Sequence, residues 1–153
     1  MSLIDKNLLP GENILFRTRK HIIIFFIPIA LVILTLFLSV YMTSIAILAR
    51  FAWLPPIIGL IYFASAYLEY ITSEFVVTDK RVVMREGFFN RHANELRLAT
   101  VSQVNVYQGI FGQMLGFGDI SLNAFGAYDV FVLIAHPFEF QKVLNEQLDK
   151  LTR

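Results

Sequence analysis

The run IIIFFIPIALVILTLFLSVYM, from Ile22 to Met42, decides the fold class of this chain. Between His21 and Arg50 the sequence contains no Asp, Glu, Lys or Arg. A helix needs about 20 apolar residues to cross the roughly 30 Å hydrocarbon core of a bilayer. The run therefore predicts a membrane-spanning helix, and Pro28 lies near its start, where a helix tolerates proline.

A second apolar run extends from Phe51 to Tyr70 and predicts a second span. Pro55 and Pro56 lie near its beginning, where missing N–H groups cost least. A secretory signal peptide is the alternative for the first run, because basic residues precede it; its length and the second run argue against this. Aromatic residues near the span ends are typical of the headgroup level, and they are Tyr41, Phe51, Trp53, Tyr67 and Tyr70.

Basic residues beside the two runs predict the orientation of this hairpin. The loop between the runs offers Arg50, whereas several cations lie near the outer ends of the runs. Because basic loops stay in the cytoplasm, we expect a multi-pass protein of the bacterial inner membrane with both termini cytoplasmic. The cations near the outer ends are Arg17, Arg19, Lys20, Lys80, Arg81 and Arg85.

The composition narrows the possible functions. Hydrophobic residues make up 56% of the 153 residues and charged residues 16%, against about 25% charged residues in typical soluble domains. The formal net charge of +1 gives no strong field to recruit nucleic acid. The chain contains no cysteine, which excludes disulfides, thiolate metal sites and cysteine nucleophiles.

After the second run, the sequence changes to short β-like segments separated by turns. Glu74–Thr78 and Arg81–Arg85 predict a hairpin across Asp79-Lys80. A C-terminal helix is expected from Pro137, with an apolar face formed by Phe140, Leu144, Leu148 and Leu151. Further strands are expected at Asn94–Leu98, Val101–Val106, Ile120–Asn123 and Val130–Ala135. We thus predict a cytoplasmic segment at 1–20, a two-helix hairpin at 21–70 with spans near 22–42 and 51–70, and a β domain at 71–153.

The segment FVVTDKRVVMREGFF, from Phe75 to Phe89, resembles the opening hairpin of bacterial pleckstrin-homology (PH) domains, which are often fused to membrane helices. One departure is His136, where the resemblance implies Asp or Asn as the helix cap. The resemblance covers nearly the whole chain and implies about seven strands in a barrel or sandwich capped by the C-terminal helix. The other matching segments are Leu9–Glu12, Arg17–His21, Glu95–Leu98, Val101–Gly109, Gly112–Gly118 and the helix from Pro137.

The resemblance also makes the first hairpin a candidate site, because lipid-binding PH domains carry basic residues there for inositol phosphates. Lys80, Arg81 and Arg85 are the candidate contacts for lipid or phosphate. Three cations fall short of the four to eight that are usual in lipid-binding clusters. The alternatives are a turn residue, arginines on a solvent-facing strand, and residues that only set the membrane orientation.

Aromatic residues near predicted turns are candidate contacts for a bilayer or a partner protein. Phe88 and Phe89 flank a hairpin turn and form a candidate interaction surface. Phe111, Met114 and Phe117 could belong to the core, enter the bilayer or contact another subunit. For Phe111 and Phe117 the core is the preferred interpretation, because large aromatic residues are usually buried.

The sequence offers no arrangement that predicts catalysis. His21, His92 and His136 lack the spacing of metal ligands. A glycine series lacks the Gly-Lys-Ser/Thr ending of a phosphate loop and predicts turns instead; its members are Gly109, Gly112, Gly116 and Gly118.

We therefore expect a non-enzymatic interaction or scaffolding module on the cytoplasmic face of the membrane. It is expected to work in a homo-oligomer or with another membrane protein, without a cofactor, metal, nucleic acid or small-molecule substrate. The alternative function is a sensor of anionic lipid headgroups through the first β-hairpin.

Overall fold

The computed structural model describes residues 7–87, 92–124 and 126–152. The chain divides into two compact units. The helical unit is Ile22–Ile71, and the β unit combines Met1–His21 with Thr72–Arg153. The helical unit is thus an insertion in the sequence of the β unit.

The helical unit consists of α-helices joined by short turns. Its two long segments, Ile22–Thr43 and Leu54–Thr72, are long and apolar enough to cross a membrane. Within their most apolar stretches only 6% and 17% of the residues are buried, unlike the core helices of a soluble protein. Its elements are a 3-10 turn at Ile22–Phe25, α1 (Phe26–Thr43), α2 (Ala46–Ala49) and α3 (Leu54–Thr72).

A glycine allows the two long helices to pack closely. A Cβ atom added to Gly59 of α3 would lie 2.6 Å from Thr35 Oγ1 and 3.3 Å from the Cα of Val32 on α1. Phe25 packs against Phe63 with a ring-centroid distance of 5.7 Å. Close backbone approach through small residues is a general feature of helix pairs in membranes.

The β unit contains two antiparallel sheets and a C-terminal helix. The first sheet has the strand order β1-β2-β3-β4 and the second the order β5-β6-β7. A 3-10 turn at Leu98–Thr100 connects the sheets. The elements are β1 (Ile14–Thr18), β2 (Glu74–Thr78), β3 (Arg81–Glu86), β4 (His92–Arg97), β5 (Val101–Tyr107), α4 (Ile110–Leu115), β6 (Phe117–Ala124), β7 (Ala127–Ala135) and α5 (Pro137–Thr152).

Strand β1 precedes the helical unit in sequence, whereas its partner β2 follows that unit. Thr18 pairs with Phe75, and Arg17 pairs with Val76. The chain therefore leaves one strand of the sheet, forms the helical unit, and returns in the neighbouring strand. Strand β1 was not predicted from the sequence, because its partner β2 lies beyond the helical unit and no neighbouring turn marks a hairpin.

The two sheets meet where the chain continues beyond β1. Lys20 forms an isolated bridge with Ile134 of β7, and the backbone N–H of Ala135 donates to the Arg19 carbonyl at 3.0 Å. The Thr18 hydroxyl donates to the Ala135 carbonyl at 2.7 Å. Within the described residues the strands form two sheets joined at this edge rather than a closed barrel, so the sandwich form of the prediction applies.

The hydrophobic core lies between the two sheets and α5. The predicted helix start at Pro137 is confirmed, and Phe140 and Leu144 are fully buried. Leu151, expected on the same apolar face, is exposed because it lies near the end of α5. The strands contribute Phe75, Val77, Val82, Met84, Ile120, Leu122, Phe131 and Ile134 to the core.

Candidate functional site

A cleft of about 400 Å³ opens beside the turn between β2 and β3. Its lining residues are Leu9, Lys80, Arg81, Glu95 and Arg97. Two of the three predicted basic residues thus line one cleft, together with a third cation from β4.

The turn between β2 and β3 is shaped by Thr78 and tied to the segment before β1. The hydroxyl of Thr78 accepts hydrogen bonds from the N–H groups of Lys80 at 3.2 Å and Arg81 at 3.0 Å. Asp79 and Asn13 are linked twice, since Asn13 N–H donates to Asp79 Oδ1 at 3.1 Å and Asp79 N–H donates to the Asn13 carbonyl at 3.2 Å. These bonds fix where the turn presents its side chains.

Glu12, whose side chain is fully buried, pairs with the cleft residue Arg81. Its carboxylate accepts hydrogen bonds from the Leu9 N–H at 2.7 Å and from the Thr78 hydroxyl at 2.8 Å. It also accepts two bonds from Arg81, from Nε and Nη2, each at 3.0 Å. Burial acts to raise the pKa of Glu12, but the bonds from Arg81, Leu9 and Thr78 outweigh it and hold that pKa below its usual range.

Arg81 is the centre of an ion-pair network rather than a solvent-facing cation. Besides Glu12, it pairs with Glu95 on β4, and its Nη2 donates to the Asn7 carbonyl at 2.8 Å. The hydrogen bond with Glu12 is the largest of the effects that raise the pKa of Arg81. Since two carboxylates neutralise its charge, the geometry supports a role in joining the N-terminal segment to the β2–β3 hairpin.

The other cations near the cleft are more accessible. Lys80 is exposed and its Nζ donates to the Pro10 carbonyl at 3.1 Å. Arg97 is exposed and lies directly opposite Arg81 in the β3–β4 register. Among the described residues Arg97 has no salt bridge, which leaves its charge available to a ligand. The sequence did not indicate Arg97, because its position beside Arg81 depends on the register between strands.

The structure does not bring Arg85 into the cleft. Arg85 lies four positions along β3 from Arg81, about 13 Å away at the rise of a strand. It pairs in register with Glu74 of β2 and is half-buried. Phe88 and Phe89, the candidate interaction surface, lie outside the described residues.

The aromatic residues near α4 occupy different environments. Phe111 is 77% exposed and Met114 is 78% exposed. The core interpretation of Phe111 is therefore wrong, and the reason is that α4 buries Gly112 instead. Phe117 is half-buried and its ring stacks on His21 at a centroid distance of 5.3 Å.

Acidic residues and histidines do not assemble into a metal centre in the described ranges. Groups of three or more His, Asp or Glu side chains placed to hold a metal ion are absent there. The close titratable pairs around the cleft are ion pairs with Arg81. The cleft therefore presents the accessible positive charges of Lys80 and Arg97 beside the hydrogen-bonded pair of Arg81 and Glu12.

The fold is a mainly-β domain of two antiparallel sheets and a C-terminal helix, with a helical insertion between its first two strands. A family model described as bacterial PH domain matches residues 22–150. Since this match covers most of the chain, the chain belongs to the bacterial PH domain family, and the predicted resemblance is confirmed. Searches of curated proteins and of solved structures found no match.

Proposed function

We propose that this protein is a membrane-anchored, non-enzymatic binding module that holds a partner protein at the cytoplasmic face of the bacterial inner membrane. PH-like domains generally bind lipids or proteins. The observation that carries the proposal is the insertion of two long apolar helices between the paired strands β1 and β2. Because both ends of the insertion continue into the same sheet, the chain connects the β unit to its anchor at two points.

The exposed surface of the helical unit supports the membrane anchor. Monomeric soluble proteins rarely expose contiguous apolar patches above a few hundred Å². Large apolar residues are exposed throughout α1 and α3, for example Phe37 at 72% and Ile61 at 65%. A bilayer is the solvent in which such a surface is stable. The basic residues that precede α1 and follow α3 favour a cytoplasmic location for the β unit.

Strand edges supply the surface for a partner. β4 forms one edge of the first sheet and β5 forms one edge of the second, whereas the end of β7 is hydrogen-bonded to the segment that follows β1. An exposed edge binds an extended segment by adding it as a further strand, with main-chain hydrogen bonds providing affinity. We propose that a second copy or another membrane protein binds at such an edge.

Two experiments on the full-length protein test the proposal. After a carbonate wash the protein is expected to stay with the membrane, and protease added outside intact spheroplasts is expected to leave the β unit uncut. Cross-linking in native membranes, followed by mass spectrometry, is expected to give a homo-oligomer or a defined partner. Release by carbonate would refute the anchor, and a strict monomer in native membranes would refute the scaffolding role.

A second candidate function is the sensing of anionic lipid headgroups. It is favoured by the exposed cations Lys80 and Arg97 at the cleft. Each cation near an anionic surface contributes about 1 kcal/mol, so the double variant Lys80→Gln/Arg97→Gln should lose roughly thirtyfold in affinity. Native mass spectrometry of the detergent-solubilised protein would compare retention of phosphatidylglycerol with that of phosphatidylcholine. Arg85→Gln, outside the cleft, is the control; equal retention of both lipids by the unsubstituted protein would refute this function.

A further inference from the structure

Helix α4 presents an apolar surface to the outside of the β unit. Exposed fractions are 77% for Ile110, 77% for Phe111, 78% for Met114 and 52% for Leu115. These four residues make up most of a helix of six residues. Large apolar side chains so exposed on one element indicate a surface that is covered in the working protein.

The helix is held firmly, so this exposure is a feature of the fold. A Cβ atom on Gly112 would lie 2.5 Å from the Phe117 carbonyl oxygen, which shows how closely the α4 backbone packs on β6. The Gln108 side-chain amide donates to the carbonyls of Gly112 and Phe117, both at 2.9 Å. Gly116 ends the helix with a φ of 79°, a left-handed conformation suited to glycine. Because the α4 backbone at Gly112 packs against β6, the large apolar side chains of α4 lie on the outside of the β unit.

The same end of the β unit carries the residue that leads into the first apolar helix. His21 stacks on Phe117, which follows α4 after one residue. The His21 side chain also donates a hydrogen bond to the backbone carbonyl of Leu115, the last residue of α4. Ile22, the next residue after His21, begins the first segment able to cross a membrane. The apolar surface of α4 therefore lies beside the point at which the chain enters that segment.

We propose that α4 lies in the membrane–water interface, with Ile110, Phe111, Met114 and Leu115 inserted among the lipid acyl chains. This inference rests on the proposed anchoring of the helical unit in a bilayer. Interfacial helices bury their apolar face about 5–10 Å into the boundary between headgroups and acyl chains. Because the anchor would enter the bilayer at Ile22, lipid would lie within reach of α4.

The sequence around α4 fits lipid as the occupant. Residues 107–118, YQGIFGQMLGFG, include no Asp, Glu, Lys or Arg, so insertion carries no charge into the bilayer. Tyr107, 61% exposed at the end of β5, supplies an amphipathic ring of the kind enriched at headgroup level. Insertion of α4 would give the β unit a third attachment to the bilayer beside its two chain connections.

The natural absence of cysteine allows a direct test on the full-length protein in lipid nanodiscs. Single substitutions Met114→Cys, Ser102→Cys and Leu36→Cys would each be labelled with an environment-sensitive fluorophore. Ser102, exposed on β5, lies about 17 Å along that strand from Tyr107 and serves as the control in the β unit. Leu36, in the middle of α1, reports on the anchor itself.

Lipids brominated near the headgroup end or near the end of the acyl chain then act as quenchers. At Met114→Cys we expect about twofold quenching by the headgroup-end bromine and less by the chain-end bromine, as for an interfacial helix. Leu36→Cys should show the opposite order, and Ser102→Cys should show no quenching by either lipid.

The outcomes separate this inference from the anchoring proposal. If Leu36→Cys is quenched and Met114→Cys is not, the anchor stands and the inference about α4 is overturned. A blue-shifted Met114→Cys fluorophore that neither lipid quenches would indicate a protein surface, such as a second copy, and would also overturn it. If Leu36→Cys is not quenched, the anchoring proposal fails first.

Discussion

The buried carboxylate of Glu12 gives the sharpest test of how the N-terminal segment is joined to the β unit. Glu12→Gln keeps the size of the side chain but removes its charge, leaving Arg81 without its buried partner. Breaking a buried ion pair by removing one partner costs about 3–5 kcal/mol. Because Arg81 retains Glu95, which is 49% exposed, we expect a loss near the lower end, about 3 kcal/mol.

Hydrogen exchange of the full-length protein in detergent, read by mass spectrometry, measures this loss where it occurs. A loss of about 3 kcal/mol should speed the exchange of amides in β2 and β3 by roughly 150-fold. Glu95→Gln is the matched control, since an exposed partner of the same Arg81 should contribute less than about 1 kcal/mol. Arg81→Met combined with Glu12→Gln should cost less than the sum of the two single changes.

The pH dependence follows from the lowered pKa of Glu12. Since the folded protein holds this pKa below that of the unfolded chain, the unfolded state binds the proton more readily. The stabilisation is therefore complete above the ordinary glutamate pKa of about 4.3 and disappears as the pH falls through the folded value. The unsubstituted protein and Glu12→Gln should thus converge in acid. Exchange rates that differ by less than threefold at neutral pH would refute this account of Glu12.

Three further predictions concern α4, the discontinuous β unit and His21. Gly112→Ala should destabilise the β unit by about 1–3 kcal/mol, because the new methyl group meets a backbone oxygen. Thermal unfolding in detergent measures this loss. The control Gly109→Ala has open space around it and should change the unfolding midpoint very little. A fragment of residues 72–153 should not fold, because it lacks β1 and Glu12. Residues 7–21 joined to 72–153 by a short turn restore both and should give dispersed amide NMR signals. Equal spectra from the two fragments would contradict this prediction. Burial lowers the pKa of His21, and the charge of His136 adds to the effect. The stability of the folded protein should therefore fall as the pH drops below about 6.5. In thermal unfolding, His21→Phe should flatten this pH dependence, and an unchanged slope would contradict the prediction.

The local features of this protein could be predicted from its sequence. Uninterrupted apolar length identifies the segments able to cross a membrane, as in the run from Ile22 to Met42. Helical periodicity identified α5, and short β-branched runs around Asp79-Lys80 identified the β2–β3 hairpin. Each of these signals is carried by neighbouring residues, so no knowledge of distant contacts is needed.

Other features were decided by contacts between residues far apart in the chain. Strand β1 is recognisable only through its pairing with β2, which lies beyond the helical unit. The role of Arg81 depends on Glu12, and the position of Arg97 depends on the register of β3 with β4. Phe111 is exposed because Gly112 packs its backbone against β6. Charge and hydrophobicity in a sequence show what a residue prefers, whereas the tertiary structure determines which partner satisfies that preference.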